Sequence, residues 1–221
     1  MTRDARDGGV VAAVFVGSVA PLPDRLSRSR RTVSSAIVKR SVEGPVRVTT
    51  TGLAGDEHGA IGIHGTPDRA VLAYAIAHYP RWARDLGDDR LGPGAFGENL
   101  VVDRVTEAGV CVGDVVRVGT AVLRVTQPRR PCRKPDIRWG VDGLSDLMKS
   151  TGRTGWLMSV VEEGDVAAGA PFELVERPYP RWTIDEVTRV AWRDAAPGEA
   201  AELARCPALA PRWRDKLSAR V

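Results

Sequence analysis

Between residues 10 and 176 the apolar positions fall in short runs, either alternating with polar residues or rich in β-branched side chains. These runs are VVAAVFVG (10–17), VRVTT (46–50), ENLVV (98–102), DVVRVG (114–119), AVLRVTQ (121–127), WLMSVV (156–161) and PFELV (171–175). Glycine or proline punctuates the gaps, the pattern of strands joined by turns. In DVVRVGTAVLRVTQ the dipeptide Gly119-Thr120 separates two alternating runs, and glycine at the first turn position marks a type II′ hairpin. Many short strands of this kind predict a barrel or a strongly bent sheet.

Helical signals interrupt the strands. Thr66-Pro67-Asp68 reads as an N-cap, a proline at N1 and an acid, followed by Val71, Tyr74 and His78 at helical spacing. Pro80 is expected to end or kink that helix, and RWARDL to add about two turns. A second helix is expected over 143–149, closed by Gly152. Beyond residue 181 the pattern changes. Thr183 and Glu186 form a capping box that opens a helix over 184–193. Pro197-Gly198 and Pro207 then separate helices over 199–205 and 208–219. Trp192, Leu203, Leu209, Trp213 and Leu217 are placed to form one small core. The expectation is an α+β chain: a β-barrel-like domain with inserted helices over 10–178, then a three-helix unit over 181–221.

The 221 residues are 43% hydrophobic and 27% charged, ordinary for a globular chain. The net charge of +4 is concentrated in 25–40 and 129–134. That excess suits an anionic ligand but is too small to imply nucleic acid. Cys111, Cys132 and Cys206 form no CxxC pair, which argues against a disulfide framework or a zinc knuckle and for a reducing cytoplasm. No apolar run reaches the roughly 18 residues of a membrane span. VVAAVFVGSVA (10–20) is preceded by Asp4 and Asp7 as well as Arg3 and Arg6, so it lacks the basic flank of a signal peptide and reads as a buried strand.

Candidate chemistry centres on TQPRRPCRKPD (126–136), where Cys132 sits among Arg129, Arg130, Arg133 and Lys134 between prolines. Neighbouring cations favour a thiolate. From local chemistry it could be a nucleophile, a persulfide carrier or a ligand to a soft metal, against the plainer reading of a packing cysteine. Cys111 and Cys206 read as packing residues. Gly-flanked turns elsewhere offer donors suited to an anion. They are GDEHGAIGIHGTPDRAV (55–71) with His64 just before a helix start; LGPGAFGENL (91–100) with Asn99; and KSTGRTGWL (149–157) with Arg153. RTVSSAIVKR (31–40) adds Ser35 and Lys39, while Arg28 to Arg31 read as a solvated basic stretch. His58 reads as part of a connector. His58 and His64 lack the spacing of a HExxH site, and no zinc is expected.

The motifs SSAIVKRSVEGPV, GLAGDE, HGTPDRAVLAY, HYPRW, GPGAFGENL, GDVVRVG, QPRRPCRK and TGRTGW, in this order, resemble the MOSC domain family, nearest to its YiiM-like branch. The tail from PRWTIDEV is similar to the three-helix domain that follows MOSC there. The resemblance implies a barrel that binds the molybdenum cofactor, molybdopterin, with Cys132 as the metal ligand and catalytic centre. It implies Ser35, Lys39, Arg129 and Arg153 as holders of the cofactor's phosphate and pterin, and His64, Asp68, Arg69 and Asn99 as pocket lining. The implied activity is reduction of N-hydroxylated compounds such as N-hydroxylated purine bases. Electrons would come from a separate flavin reductase, with no nucleic acid or membrane involved and a homodimer among the expectations. Many members carry His-His-Gly-Gly where this chain has Ile63-His64-Gly65-Thr66, so substrate choice is expected to differ. MOSC domains also occur in cofactor sulfurases, which keeps a persulfide carrier as the rival reading. A nucleic-acid module on the C-terminal arginines is disfavoured because acids are interspersed among them.

Overall fold

The computed structural model describes residues 8–29, 31–59 and 65–219. The strands in chain order are β1 (Gly9–Val16), β2 (Ala20–Pro23), β3 (Thr32–Ser35), β4 (Arg40–Val42), β5 (Val46–Thr49), β6 (Gly52–Leu53), β7 (Val71–Ala75), β8 (Leu100–Asp103), β9 (Val115–Val118), β10 (Ala121–Pro128), β11 (Trp156–Glu162), β12 (Gly164–Val166) and β13 (Pro171–Glu176). The α-helices are α1 (Tyr79–Leu86), α2 (Lys134–Trp139), α3 (Leu144–Thr151), α4 (Ile184–Trp192), α5 (Glu199–Ala204) and α6 (Pro211–Ser218).

Seven strands close into a barrel in the order β13-β9-β10-β11-β7-β8-β1, and β1 returns to β13 through Gly9–Phe172 and Val10–Pro171. β4 extends the edge at β1. Neighbours are antiparallel except β7 and β8, which run parallel through Ala73–Leu100, Tyr74–Val101 and Ala75–Val102. Register shifts in the β1–β8 and β10–β11 pairs bend the strands, as a small closed barrel requires. Inward positions such as Val11, Val14, Val71, Ala73, Leu100, Leu123, Val125, Trp156 and Met158 are fully buried. The β9–β10 hairpin turns at Gly119, φ +60°, as its alternation predicts.

Residues 66–78 are not the predicted helix. Pro67–Arg69 and Ile76–His78 are single 3-10 turns, and between them Val71–Ala75 is a barrel strand with all five residues buried. β7 has the barrel core on one face and Tyr79, Trp82, Phe96, Leu144 and Met148, packed around Tyr74, on the other. A strand covered on both faces shows a continuous apolar run, which periodicity cannot separate from a helix. Pro80 then lies in the first turn of α1, where its missing N–H is harmless. The helix expected over 143–149 forms as α3, and Gly152 closes it in the left-handed conformation.

The C-terminal helices form where the caps predict. Thr183 Oγ1 accepts the Glu186 N–H at 3.0 Å, and Pro211 opens α6. Their apolar residues do not make a separate core. Ile184, Val187, Leu203, Leu209, Trp213 and Leu217 belong to the same buried cluster as the barrel interior. Backbone bonds tie them down: Val112 N to Trp182 O at 2.9 Å, Ile184 N to Val110 O at 2.7 Å and Ala210 N to Thr126 O at 3.1 Å. The short strands β4, β6 and β12 escaped the sequence pattern, and so did the β2–β3 hairpin and α2. The hairpin and α2 lie side by side. They pack on each other through Leu22, Val33, Ile37 and Ile137. No helix among the described residues is long and apolar enough to cross a membrane.

Candidate functional site

Strand β10 ends at Pro128, and the chain crosses residues 129–133 to reach α2. Arg129 N donates to Gly155 O at 3.0 Å, which pins this loop to the TGRTGW turn before β11. The loop overhangs an open cleft. Cys132 is half-buried and faces this cleft with Arg129, Arg130 and Lys134. The end of β3 supplies Ser35, Ala36 and Ile37, and the segment after it supplies Lys39. Leu72, Phe96 and Leu157 give it apolar surface, and Asn99, Gln127, Arg69, His58 and the carboxylate of Glu57 complete its polar lining.

Behind the cleft, Asp56 collects donors from three segments. Its carboxylate, fully buried, accepts Gly17 N at 2.7 Å, Asn99 Nδ2 at 2.8 Å and Lys39 Nζ at 2.6 and 2.5 Å. Burial pulls the Lys39 ammonium below its usual range, and the attraction of Asp56 opposes that shift. Asn99 also takes the Leu72 N–H on Oδ1 at 3.1 Å and donates to Phe15 O at 3.3 Å, linking the starts of β7 and β8 to β1. Lys39 and Asn99 therefore line the cleft with their polar groups already engaged within the protein.

The preceding residue explains the rest of the GENL motif. Glu98 is fully buried and accepts Gly94 N at 2.6 Å, Phe96 N at 2.9 Å and the Tyr79 hydroxyl. Burial, together with the Glu98 charge, raises the Tyr79 phenol, which keeps it a donor. The 93–97 loop thus folds around a carboxylate and presents Phe96 to the cleft. Gly97 has φ +80°, and a Cβ there would stand 2.9 Å from Ile37 Cγ1, so only glycine lets the loop meet the β3 segment. Arg138 of α2 donates to Ile37 O, Gly94 O and Ala95 O, fixing both walls to one another.

Of the residues singled out from the sequence, Ser35, Lys39, Arg69, Asn99, Arg129 and Cys132 come together in this cleft. Ser35 is buried, and its Oγ accepts Ile37 N at 3.2 Å. Arg129 is also buried, yet its recorded side-chain partner is Met148 Sδ at 3.9 Å, and it pairs with no carboxylate among the described residues. Asp68 lies one layer back. Gln127 Nε2 donates to its Oδ2 at 2.8 Å, so Asp68 orients a lining residue. Arg153 is not part of the cleft lining. Its guanidinium lies 3.8 Å over the Trp82 ring and pairs with Asp85, because the TGRTGW turn packs against α1. His64 and Ile63 lie outside the described residues. Sequence reasoning missed Asp56, Glu57 and Gln127, and it set His58 aside as part of a connector where the structure places it in the cleft wall. The inward alternation of β10 marks Gln127, and GDE in a Gly-flanked turn marks Asp56, but His58 carries no local signal. No group of three histidine, cysteine or acidic residues among the described residues could hold a metal ion.

A closed seven-stranded barrel carrying a single thiol on a cationic cleft is the arrangement of one known class. Residues 61–173 match the MOSC domain, and residues 182–221 match the YiiM-like 3-alpha helix domain. The chain belongs to the MOSC domain family. Among its relatives, Protein YiiM of Escherichia coli is 43% identical over 161 residues, 72% of this chain and 71% of that protein. The crystal structure of YiiM from Geobacillus stearothermophilus is similar with a TM-score of 0.79 at 29% identity, covering 96% of this chain and 98% of that one. A protein of Gibberella moniliformis named Reductase is 40% identical over 161 residues, and this chain spans only 28% of its length.

Proposed function

We propose that the chain is a molybdenum-cofactor enzyme that reduces N-hydroxylated compounds, with electrons delivered by a separate flavin reductase. One observation carries the reading: the cleft of a MOSC barrel presents one thiol, Cys132, beside Arg129, Arg130 and Lys134, and no group of three metal-ligand side chains stands among the described residues. A fungal relative that bears the name Reductase supports the reaction class.

The residues present fit a pterin that carries a dithiolene and a phosphate. Cys132 would offer the metal a single sulfur from this chain, and the cofactor's anionic groups would meet Arg129, Arg130 and Lys134. When bound, the cofactor supplies two-electron redox chemistry at molybdenum. Cys132 would hold the metal. Arg129, buried and without a carboxylate partner, would carry the tightest contact to an anion, and Arg130, Lys134 and Ser35 would add further donors. Leu72, Phe96 and Leu157 would exclude water from the reacting end. His58 brings an imidazole to the cleft wall, with Nε2 placed 3.3 Å from Thr51 O. The Lys39–Asp56 pair is neutral as a unit and would shape the cleft rather than bind the phosphate.

The test is a reductase-coupled assay on N-hydroxylated adenine and cytosine, using protein from a host that makes the cofactor. Turnover by the wild type, with Cys132→Ser at background, supports the reading. No turnover by cofactor-loaded wild type on either base overturns it.

A further inference from the structure

The basic stretch of the β2–β3 hairpin is not used by the site described above, and its position gives it a role. The hairpin and α2 share their own small apolar cluster, Leu22, Val33, Ile37 and Ile137. Arg25 N donates to Ile137 O at 3.2 Å, and Asp24 N to Arg31 O at 2.8 Å, so the hairpin tip is fixed against α2. The same unit supplies Ser35, Ile37, Cys132 and Lys134 to the cleft. Its outer edge is therefore the lip of the cleft on the Cys132 side.

That lip carries Arg25, Arg28, Arg31, Arg130, Arg133 and Lys134. All but Lys134 are exposed, and none pairs with a carboxylate among the described residues. The acids on and beside this edge are Asp24, which accepts the Leu26 N–H at 3.0 Å, and Glu57, which lines the cleft and accepts the Val19 N–H at 2.6 Å. Asp136 is buried against Ser145. Among the described residues, six cations and these two carboxylates leave the lip at +4, as much as the net charge of the whole chain. Elsewhere on the surface some cations are matched, as in Arg181–Glu202, Arg189–Glu199 and Arg193–Asp185, while Arg81, Arg84, Arg117 and Arg124 stand singly on other faces rather than gathered on one edge. Val38, 54% exposed between two cleft-lining residues, adds an apolar contact at this edge. Unpaired like charges on a fixed edge are a steering field for an anionic partner.

We propose that this lip is the docking surface for an acidic electron-transfer protein, which delivers electrons to the cleft. The proposal rests on the reductase reading. Converting R–NHOH to R–NH2 and H2O consumes two electrons and two protons as the N–O bond breaks. The electrons must come from an external reduced carrier, and a carrier seated on the lip faces the side of the cleft that holds Cys132.

The experiment compares wild type with the triple variant Arg25→Glu, Arg28→Glu, Arg31→Glu, both loaded with cofactor. The protein donor is reduced flavodoxin, an acidic flavin protein, and the small-molecule donor is reduced methyl viologen. Binding of oxidised flavodoxin is measured separately by calorimetry. At low ionic strength, flavodoxin-driven kcat/KM is expected to fall by about tenfold or more in the variant, within the range of electrostatic steering. Flavodoxin affinity should fall with it, the viologen-driven rate should not slow, and the difference should shrink at about 1 M salt, where screening acts within about 3 Å. Equal flavodoxin kinetics and affinity in the two proteins overturn the proposal. Equal slowing with both donors also overturns it, because the arginines would then act on the cleft itself. So does salt-sensitive binding of duplex DNA without binding of flavodoxin. Failure of viologen to drive any turnover in the wild type instead strikes the reductase reading, and calorimetry then decides the docking claim alone.

Discussion

Replacing Asp56 with asparagine tests the arrangement behind the cleft. The carboxylate is fully buried, Lys39 is 6% exposed, and the ammonium makes contacts of 2.6 and 2.5 Å to both oxygens. The asparagine removes the charge and turns an –NH2 toward one of three donors, Gly17 N, Lys39 Nζ or Asn99 Nδ2. Breaking a buried pair in this way costs about 3–5 kcal/mol, since the remaining charge is left uncompensated. At about 2–4 °C per kcal/mol for a chain of this size, the midpoint of thermal unfolding should drop by roughly 6–20 °C. The pH dependence has a definite sign. Burial already holds Lys39 below its usual range in the folded protein. The unfolded chain therefore binds more protons across that window, and stability rises with pH through it. Without Asp56 the Lys39 value falls further, so the window opens at lower pH and the deficit of the variant should shrink between pH 7 and 10. Adding Lys39→Met should recover much of the loss. A melt within 2 °C of wild type, or a double variant no more stable than Asp56→Asn, refutes the pair as described.

Glu98→Ala leaves Gly94 N, Phe96 N and the Tyr79 hydroxyl without their acceptor. At about 1–3 kcal/mol for each buried donor, roughly 3 kcal/mol or more is lost, and hydrogen exchange at the Gly94 and Phe96 amides should accelerate first. Iodoacetamide at pH 8 should label Cys132 in the apoprotein and spare Cys111, whose thiol is pushed up to about 11 by burial and the nearby Asp114. Labelling of Cys111 ahead of Cys132 in the native protein contradicts the placement of both. Truncation after Pro178 removes Ile184, Val187, Leu203, Leu209, Trp213 and Leu217 from a core shared with the barrel. Each contributes about 1.5–3 kcal/mol or more of burial, so the remainder should lose its cooperative melt, and a truncated barrel melting like the full chain refutes the shared core.

The elements that were legible in the sequence are those whose signals are local. The alternating sequence and the Gly119 turn mark β9 and β10, of which only Arg117 and Arg124 are exposed, and caps mark α3 and α4. The strand Val71–Ala75 was not legible, because its identity comes from what covers both faces, and the apolar spacing of its five residues fits a helix as well. The β2–β3 hairpin was hidden by charge, since its exposed arginines dominate the segment and only Leu22, Val33 and Ser35 of its strands are turned inward. In the site, Cys132, Ser35 and Arg129 stand out by residue type. Lys39 and Asn99 were legible as lining but not as spent donors, because Asp56 reaches them from 17 and 43 residues away in the chain. Arg153 shows the converse. A Gly-flanked arginine has the local form of an anion binder, and its stacking on Trp82 is a tertiary fact.

The account's central claim is that Cys132 holds molybdenum within a cofactor bound by this cleft. The direct measurement is metal and pterin content of wild type and Cys132→Ala purified from a cofactor-competent host, with a thermal melt as a check on folding. The account predicts near-stoichiometric molybdenum and pterin in the wild type and a loss of molybdenum in a variant that melts like it. Molybdenum absent from both proteins, or retained equally by both, contradicts it.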